Sequence, residues 1–174
     1  LEHLKTDRLI LRTLEMSDGL VIEQKVGDYE VAKSLLTIPY PYPKGGAERF
    51  IEQTKAAVLL GSLLLYGIVH KDKNELIGMI HLKMNGDHLR GELGYWIEKE
   101  EWGKGYGTEA AEAVMEYGFN HRGLHRIFAQ AFTDNPASTR VMEKIGMTFE
   151  GTLRNHVKKG KEFKDLAVYG KVYQ

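Results

Sequence analysis

Residues 100–119 read EEWGKGYGTEAAEAVMEYGF. Glycines stand at alternate positions, Gly103, Gly105 and Gly107, and a firmly helical run begins at once after them. A helix N-terminus leaves backbone N–H groups unpaired, and its dipole favours an anion. Glycines in the preceding turn let a phosphate approach that backbone without meeting a Cβ. Lys104 adds charge nearby, Tyr106 opens the helix and Thr108 adds a hydroxyl. The same glycines also suit a tight strand-to-helix turn that binds nothing, so the loop alone leaves both readings open. Spacing excludes two other phosphate loops. The GK-[ST] ending of the P-loop is absent, and G-x-G-x-G departs from the dinucleotide fingerprint G-x-G-x-x-G.

Working outward, three apolar runs precede this loop. LLLYGIVH (Leu63–His70), LIGMIHLKM (Leu76–Met84) and RGELGYWIE (Arg90–Glu98) are separated by KDKNE and by the hairpin signal NGD, and predict an antiparallel meander. Further upstream, RLILRTL (Arg8–Leu14) predicts a strand, and helices are expected over Gly19–Lys25 and Ala47–Leu60. Between those helices, IPYPYPKGG (Ile38–Gly46) carries prolines at 39, 41 and 43, which forbid regular helix and favour a stiff extended loop. Downstream of the loop come a helix over Tyr106–Asn120, the strand RIFAQAF (Arg126–Phe132), a short helix over Pro136–Ile145, and strands Thr148–Val157 and Glu162–Tyr173 joined by a KGK turn. An antiparallel first half followed by strand-helix-strand crossovers predicts a mixed α/β sheet in a single domain spanning 1–174.

Composition narrows the function. The 174 residues carry 24 Lys plus Arg against 24 Asp plus Glu, so the chain lacks the net basic charge of a DNA binder. There is no cysteine, which excludes disulfides, thiolate metal sites and a cysteine nucleophile. No segment has the apolar length of a membrane span, and LEHLKTDRL lacks the apolar core of a signal peptide. The expectation is a soluble, cytoplasmic protein. His121 and His125 stand four apart, a metal-ligand spacing, but with Gly123 between them and no third ligand no metal site is expected. His70 and His81 fall in predicted strands and read as structural.

A second constellation is DNPASTRVMEKIGMTFEG (Asp134–Gly151). Asn135 is a good N-cap, Pro136 suits the first helical position, and Gly146 is a natural stop. Ala137, Val141 and Ile145 recur at four-residue spacing and are expected to face the core. Ser138 projects its hydroxyl near the helix N-terminus, where serine usually just caps.

Together the two segments resemble the GNAT acetyltransferase superfamily. EEWGKGYGTEA resembles its acetyl-CoA pyrophosphate loop, R/Q-x-x-G-x-G/A, with Gly105 and Gly107 at the glycine positions and Trp102 where Arg or Gln is common. That departure, together with NPASTRVMEKIGMTFEG and the opening LKTDRLILR, is similar to the RimJ/RimL-type branch, which acetylates N-terminal amines of ribosomal proteins. The resemblance implies a mostly antiparallel twisted sheet of about seven strands, flanked by about four helices and splayed between the fourth (Arg90–Glu98) and the fifth (Arg126–Phe132). It implies that backbone groups of Trp96, Ile97 and Glu98 pair with the pantetheine arm of acetyl-CoA. By the same resemblance the pyrophosphate rests on the amides of the Gly103–Thr108 loop, Asn135 contacts the pantetheine, and Lys144 reaches the adenosine phosphate end. No metal is implied.

The implied reaction is direct acetyl transfer to an amine. The family tyrosine seven residues after the motif asparagine is here Met142, so Ser138 is expected to serve the leaving sulfur. Glu92 is the expected base, with Glu150 in reserve. An α-amino group, with pKa about 7.7–8.0, needs less help than a lysine at about 10.4. The expected acceptor is a protein N-terminus, with a small amine such as a polyamine or aminoglycoside as the alternative, or an idle acyl-CoA-binding module as a third reading. Tyr40, Tyr42 and the basic hairpin residues Arg154, His156, Lys158, Lys159, Lys161 and Lys164 are the candidate acceptor contacts. Related proteins imply a homodimer or higher homo-oligomer.

Overall fold

A computed structural model describes residues 2–174; Leu1, the first residue of the expected domain, lies outside the described residues. In chain order the elements are β1 (Leu4–Lys5), β2 (Leu9–Arg12), α1 (Gly19–Val26), α2 (Tyr29–Ala32), α3 (Gly46–Leu60), β3 (Leu63–His70), β4 (Glu75–Asn85), β5 (Arg90–Ile97), α4 (Tyr106–Asn120), β6 (Arg126–Phe132), α5 (Pro136–Lys144), β7 (Thr148–Lys159) and β8 (Glu162–Val172). Among the described residues the eight strands form one sheet in the order β1-β2-β3-β4-β5-β6-β8-β7. The expected count of seven strands and four helices is corrected by β1 and α2. These hold two and four residues, too short to show a period.

All neighbours pair antiparallel except β5 and β6. Their parallel pairing covers only Arg90, Gly91 and Glu92 of β5 against Arg126, Ile127 and Phe128 of β6. Beyond that rung β5 keeps only β4 and β6 keeps only β8. The sheet therefore parts in a V whose apex is Glu92 and Phe128.

Two apolar layers hold the sheet. Leu64, Ile80, Leu82, Leu93 and Ile97 pack with Tyr106, Ala110 and Val114 of α4. On the opposite face Leu65, Met79 and Trp96 pack with Ile22 and Val26 of α1 and Ile51 of α3. Each buried side chain of this size contributes on the order of 1.5–3 kcal/mol, and strand alternation sends neighbours to opposite layers. At α5 the expected core face is rotated. Met142 and Ile145 are buried, Val141 is half-buried, and Ala137 is exposed.

Candidate active site

The site is built where the V opens beside the start of α4. The three glycines of the opening motif serve three different ends. Gly103 and Gly105 adopt φ of 76° and 83°, in the left-handed region that costs other residues roughly 1–2 kcal/mol. Gly105 is the N-cap of α4, and no side chain caps that end. The first-turn N–H groups thus remain without an internal partner. Gly107 already lies inside the helix, and its role is packing. A Cβ there would stand 2.9 Å from the Tyr95 ring.

Cations surround this loop, but most are already paired. Lys104 Nζ lies 3.0 Å from Glu101, which also holds Lys73 at 3.2 Å. Arg8 packs over the Tyr106 ring, donates to the Lys104 carbonyl at 2.9 Å, and pairs with Glu109 at 2.7 Å. Burial alone would raise the Glu109 carboxyl, but bonds from Thr6, the Arg8 amide and the Arg8 guanidinium hold it below the ordinary range. The loop is thereby braced from the β1–β2 corner. Trp102, at the position where Arg or Gln is common in the motif, points back instead. Its Nε1 donates to the Ile97 carbonyl at 2.7 Å.

Backbone direction along β5 follows from two bonds. Glu98 N–H donates to the Ile77 carbonyl at 2.8 Å, and Met84 N–H donates to Ser62 on the β3 side at 2.9 Å. Antiparallel alternation then turns the amides of Glu92, Gly94, Trp96 and Glu98 toward β4. Those of Leu93, Tyr95 and Ile97 face the opening. The expectation that Trp96, Ile97 and Glu98 all present free backbone is corrected by this parity. Only Ile97 does so, and its carbonyl is taken by Trp102. The Glu98 side chain is occupied too, pairing with Lys25 at 3.1 Å.

Across the opening, Asn135 caps α5 as expected, its side chain accepting from the Ser138 N–H at 3.4 Å. Such a cap is worth about 1 kcal/mol. Ser138 is half-buried and lies near the phenol of Tyr95. Burial pushes that phenol up to about 12, and Ser138 eases the rise. Tyr95 therefore stays protonated throughout the neutral range. Sequence reasoning missed it, because it sought a tyrosine on α5, where Met142 is buried in the core. The available signal was Tyr95 opposite Gly107: a tyrosine on the strand and a glycine on the helix that follows. Lys144 lies exposed in the last turn of α5, at the other end of the helix from Asn135.

On the opposite face lie Glu92, at the apex and half-buried, and His81, directly across from Gly94. Glu150, the reserve base, is bound to Arg126 at 2.5 Å. This face is walled by the α2–α3 loop and the β7–β8 hairpin. Lys159 ties the two walls, donating to the carbonyls of Leu35 at 2.6 Å and Ile38. Tyr40 is exposed and meets Tyr29 edge-on at 5.0 Å, while Tyr42 packs inward on the α1–α3 core. Of the basic hairpin residues, Lys164 pairs with Asp134 at 2.7 Å, and Arg154, His156, Lys158 and Lys161 are exposed. His125 falls outside α4, so the His121 spacing is not a helical one.

An acetyltransferase (GNAT) domain profile matches residues 8–148, most of the chain, including β5, the glycine loop, α4 and α5 but not the β7–β8 hairpin. The chain belongs to the GNAT acetyltransferase family. This GNAT enzyme is 32% identical over 173 residues to YnaD, an uncharacterised N-acetyltransferase of Bacillus subtilis (strain 168), covering 96% of this chain and 95% of that one. A GNAT-family acetyltransferase structure from Bacillus anthracis superposes with a TM-score of 0.86 at 30% identity, covering 98% of both chains. RimL, a ribosomal L7/L12 alpha-N-protein acetyltransferase solved with coenzyme A, superposes with a TM-score of 0.89 over 98% of both chains; at 19% identity this likeness is one of fold. Among the described residues no helix is long and apolar enough to cross a membrane.

Proposed function

We propose that this acetyltransferase transfers the acetyl group of acetyl-CoA directly to the α-amino group of a protein N-terminus, with ribosomal proteins as the acceptor class. The observation that carries the reading is the open V beyond Glu92, with its unpaired amides, beside the uncapped start of α4. The residues fit the cofactor. Left-handed Gly103 and Gly105 remove side chains where a diphosphate would sit, and the first-turn amides of α4, from Tyr106 to Thr108, offer donors to it. The edge of β5 offers Leu93, Tyr95 and Ile97 to an extended pantetheine amide chain, in the manner of an added strand.

When bound, acetyl-CoA supplies the activated acyl group. The protein's own residues then have three tasks. The Tyr95 N–H, aimed into the opening, donates to the carbonyl oxygen as negative charge develops on it. Ser138, backed by the protonated Tyr95 phenol, donates toward the departing sulfur. Glu92 supplies negative charge on the acceptor face and draws a cationic amine toward the apex. Names in the family support the α-amino acceptor: RimL acts on a ribosomal protein N-terminus. The exposed hairpin cations suit an acceptor embedded near acidic residues or RNA.

The test is thiol release from acetyl-CoA with a library of N-terminal peptides, compared with polyamines and aminoglycosides. Turnover with peptides alone is expected. Turnover with small amines alone would replace the acceptor class. Tight CoA binding without turnover on either set would reduce the protein to an acyl-CoA-binding module.

A further inference from the structure

We propose that the His81 imidazole takes the proton from the attacking amine, a role that rests on the acetyl-transfer reading above. His81 is on β4, in the antiparallel register directly opposite Gly94 of β5. A Cβ at Gly94 would overlap the imidazole ring, so the ring lies on the backbone of the facing strand. That backbone is the segment between Leu93 and Tyr95, whose amides look into the V. Gly94 is two residues past the last β5–β6 rung, so the ring is over open sheet, whereas Glu92 sits at the closed apex.

The face is also correct. Ile80 and Leu82, on either side of His81, pack against the α4 core, so alternation sends His81 to the opposite, acceptor face with Met79 and Trp96. The residue is half-buried, and among the described residues its ring nitrogens bond to no protein group. Glu48 Oε2 is the one fully buried side-chain atom among them that lacks a partner, so the ring nitrogens of His81 must be reachable by solvent. Burial, with Lys83 adding repulsion, pushes the imidazole down to about 4. It is therefore neutral at physiological pH and has a lone pair to accept a proton. A histidine serving only as core filler would bury or satisfy both nitrogens.

The step balances. The amine nitrogen bonds to the acyl carbon while one of its N–H protons passes to the imidazole lone pair. The carbon–sulfur bond then breaks, and the sulfur takes a proton from the Ser138–Tyr95 side. The imidazolium returns its proton to water and water returns one to the Ser138–Tyr95 side, so the amine's proton ends on the thiol and both groups are restored.

The test uses the full chain and the best acceptor found in the thiol-release screen. His81→Ala is expected to lower kcat about 100-fold, with acetyl-CoA affinity unchanged, and added free imidazole is expected to restore at least about 10-fold of that loss. Glu92→Gln is expected instead to raise the acceptor KM while keeping most of kcat. Should His81→Ala fold poorly, His81→Asn fills similar space and is expected to show the same loss of kcat. A variant turning over within about threefold of the native enzyme would overturn the proposal, as would a folded variant whose lost kcat imidazole does not restore. Native protein inactive toward every amine would instead sink the acetyl-transfer reading itself.

Discussion

The indole nitrogen of Trp102 donates to the carbonyl of Ile97 at 2.7 Å. The bond joins the last residue of β5 to the loop that opens α4, so the edge of the V and the start of the helix are tied directly together. A guanidinium or amide at position 102 would reach toward an anion; the indole instead fixes the loop's shape. Trp102→Phe keeps the ring and deletes the bond. CoA affinity is expected to fall about 5- to 10-fold, the value of one hydrogen bond near 1 kcal/mol, with the fold retained. Titration calorimetry measures it; unchanged affinity would separate the two elements energetically.

Ser138 and Tyr95 are expected to act together. Ser138→Ala should lower kcat about 10-fold or more and leave acetyl-CoA affinity intact. Tyr95→Phe should do the same. The double variant should lose little beyond the worse single one, because groups acting on one proton are not additive. Steady-state kinetics on the three variants decide this, and additive losses would show that the two hydroxyls work separately.

Gly107 and Gly103 are predicted to fail differently when changed to alanine. At Gly107 the new Cβ meets the Tyr95 ring at 2.9 Å, and the ring must move. Overpacking of this kind costs about 1–3 kcal/mol, and kcat should fall with stability. At Gly103 a Cβ meets nothing within 4 Å, but φ of 76° strains it. There the loss should appear in CoA affinity, with kcat at saturation unchanged. Urea denaturation and calorimetry distinguish the two.

Acidification gives a further expectation. The His81 pKa in the folded protein, about 4, lies below the ordinary imidazole value near 6.5. Between those values the unfolded chain holds more protons, so folding is favoured fully above pH 6.5 and progressively less as pH falls toward 4. The loss attributable to this residue is of the order of 3 kcal/mol. Asp18 and Glu109, whose carboxyls are held low, add their own loss only further down, below roughly pH 4. His81→Asn should flatten the limb between pH 6.5 and 4 in urea titrations; an identical pH profile would refute the assignment.

The sheet was largely legible before the structure, because LLLYGIVH, LIGMIHLKM and RGELGYWIE are apolar runs of strand length bounded by turn signals, and the NGD turn fixes their direction. Ladder parity was not. Whether Trp96 or Tyr95 turns its amide outward depends on which rungs are narrow pairs, and periodicity says nothing of that. The same blindness hid Tyr95, placed near Ser138 by two elements forty residues apart, and His81, whose environment exists only once Gly94 faces it. Helix α5 misled for a different reason. Four-residue spacing is shared by neighbouring faces of a short helix, and only contact with the sheet chose Met142 over Ala137.

Lys159 ties together the two walls of the face that carries Glu92 and His81. A single ammonium spans the carbonyls of Leu35 and Ile38, linking chain segments more than a hundred residues apart. On the proposed acceptor reading, this cross-tie sets how far the two walls stand apart. Selectivity among incoming amines would then shift with the rim side chains, such as those of Tyr29 and Tyr40, and with loss of the Lys159 cross-tie that spaces the walls.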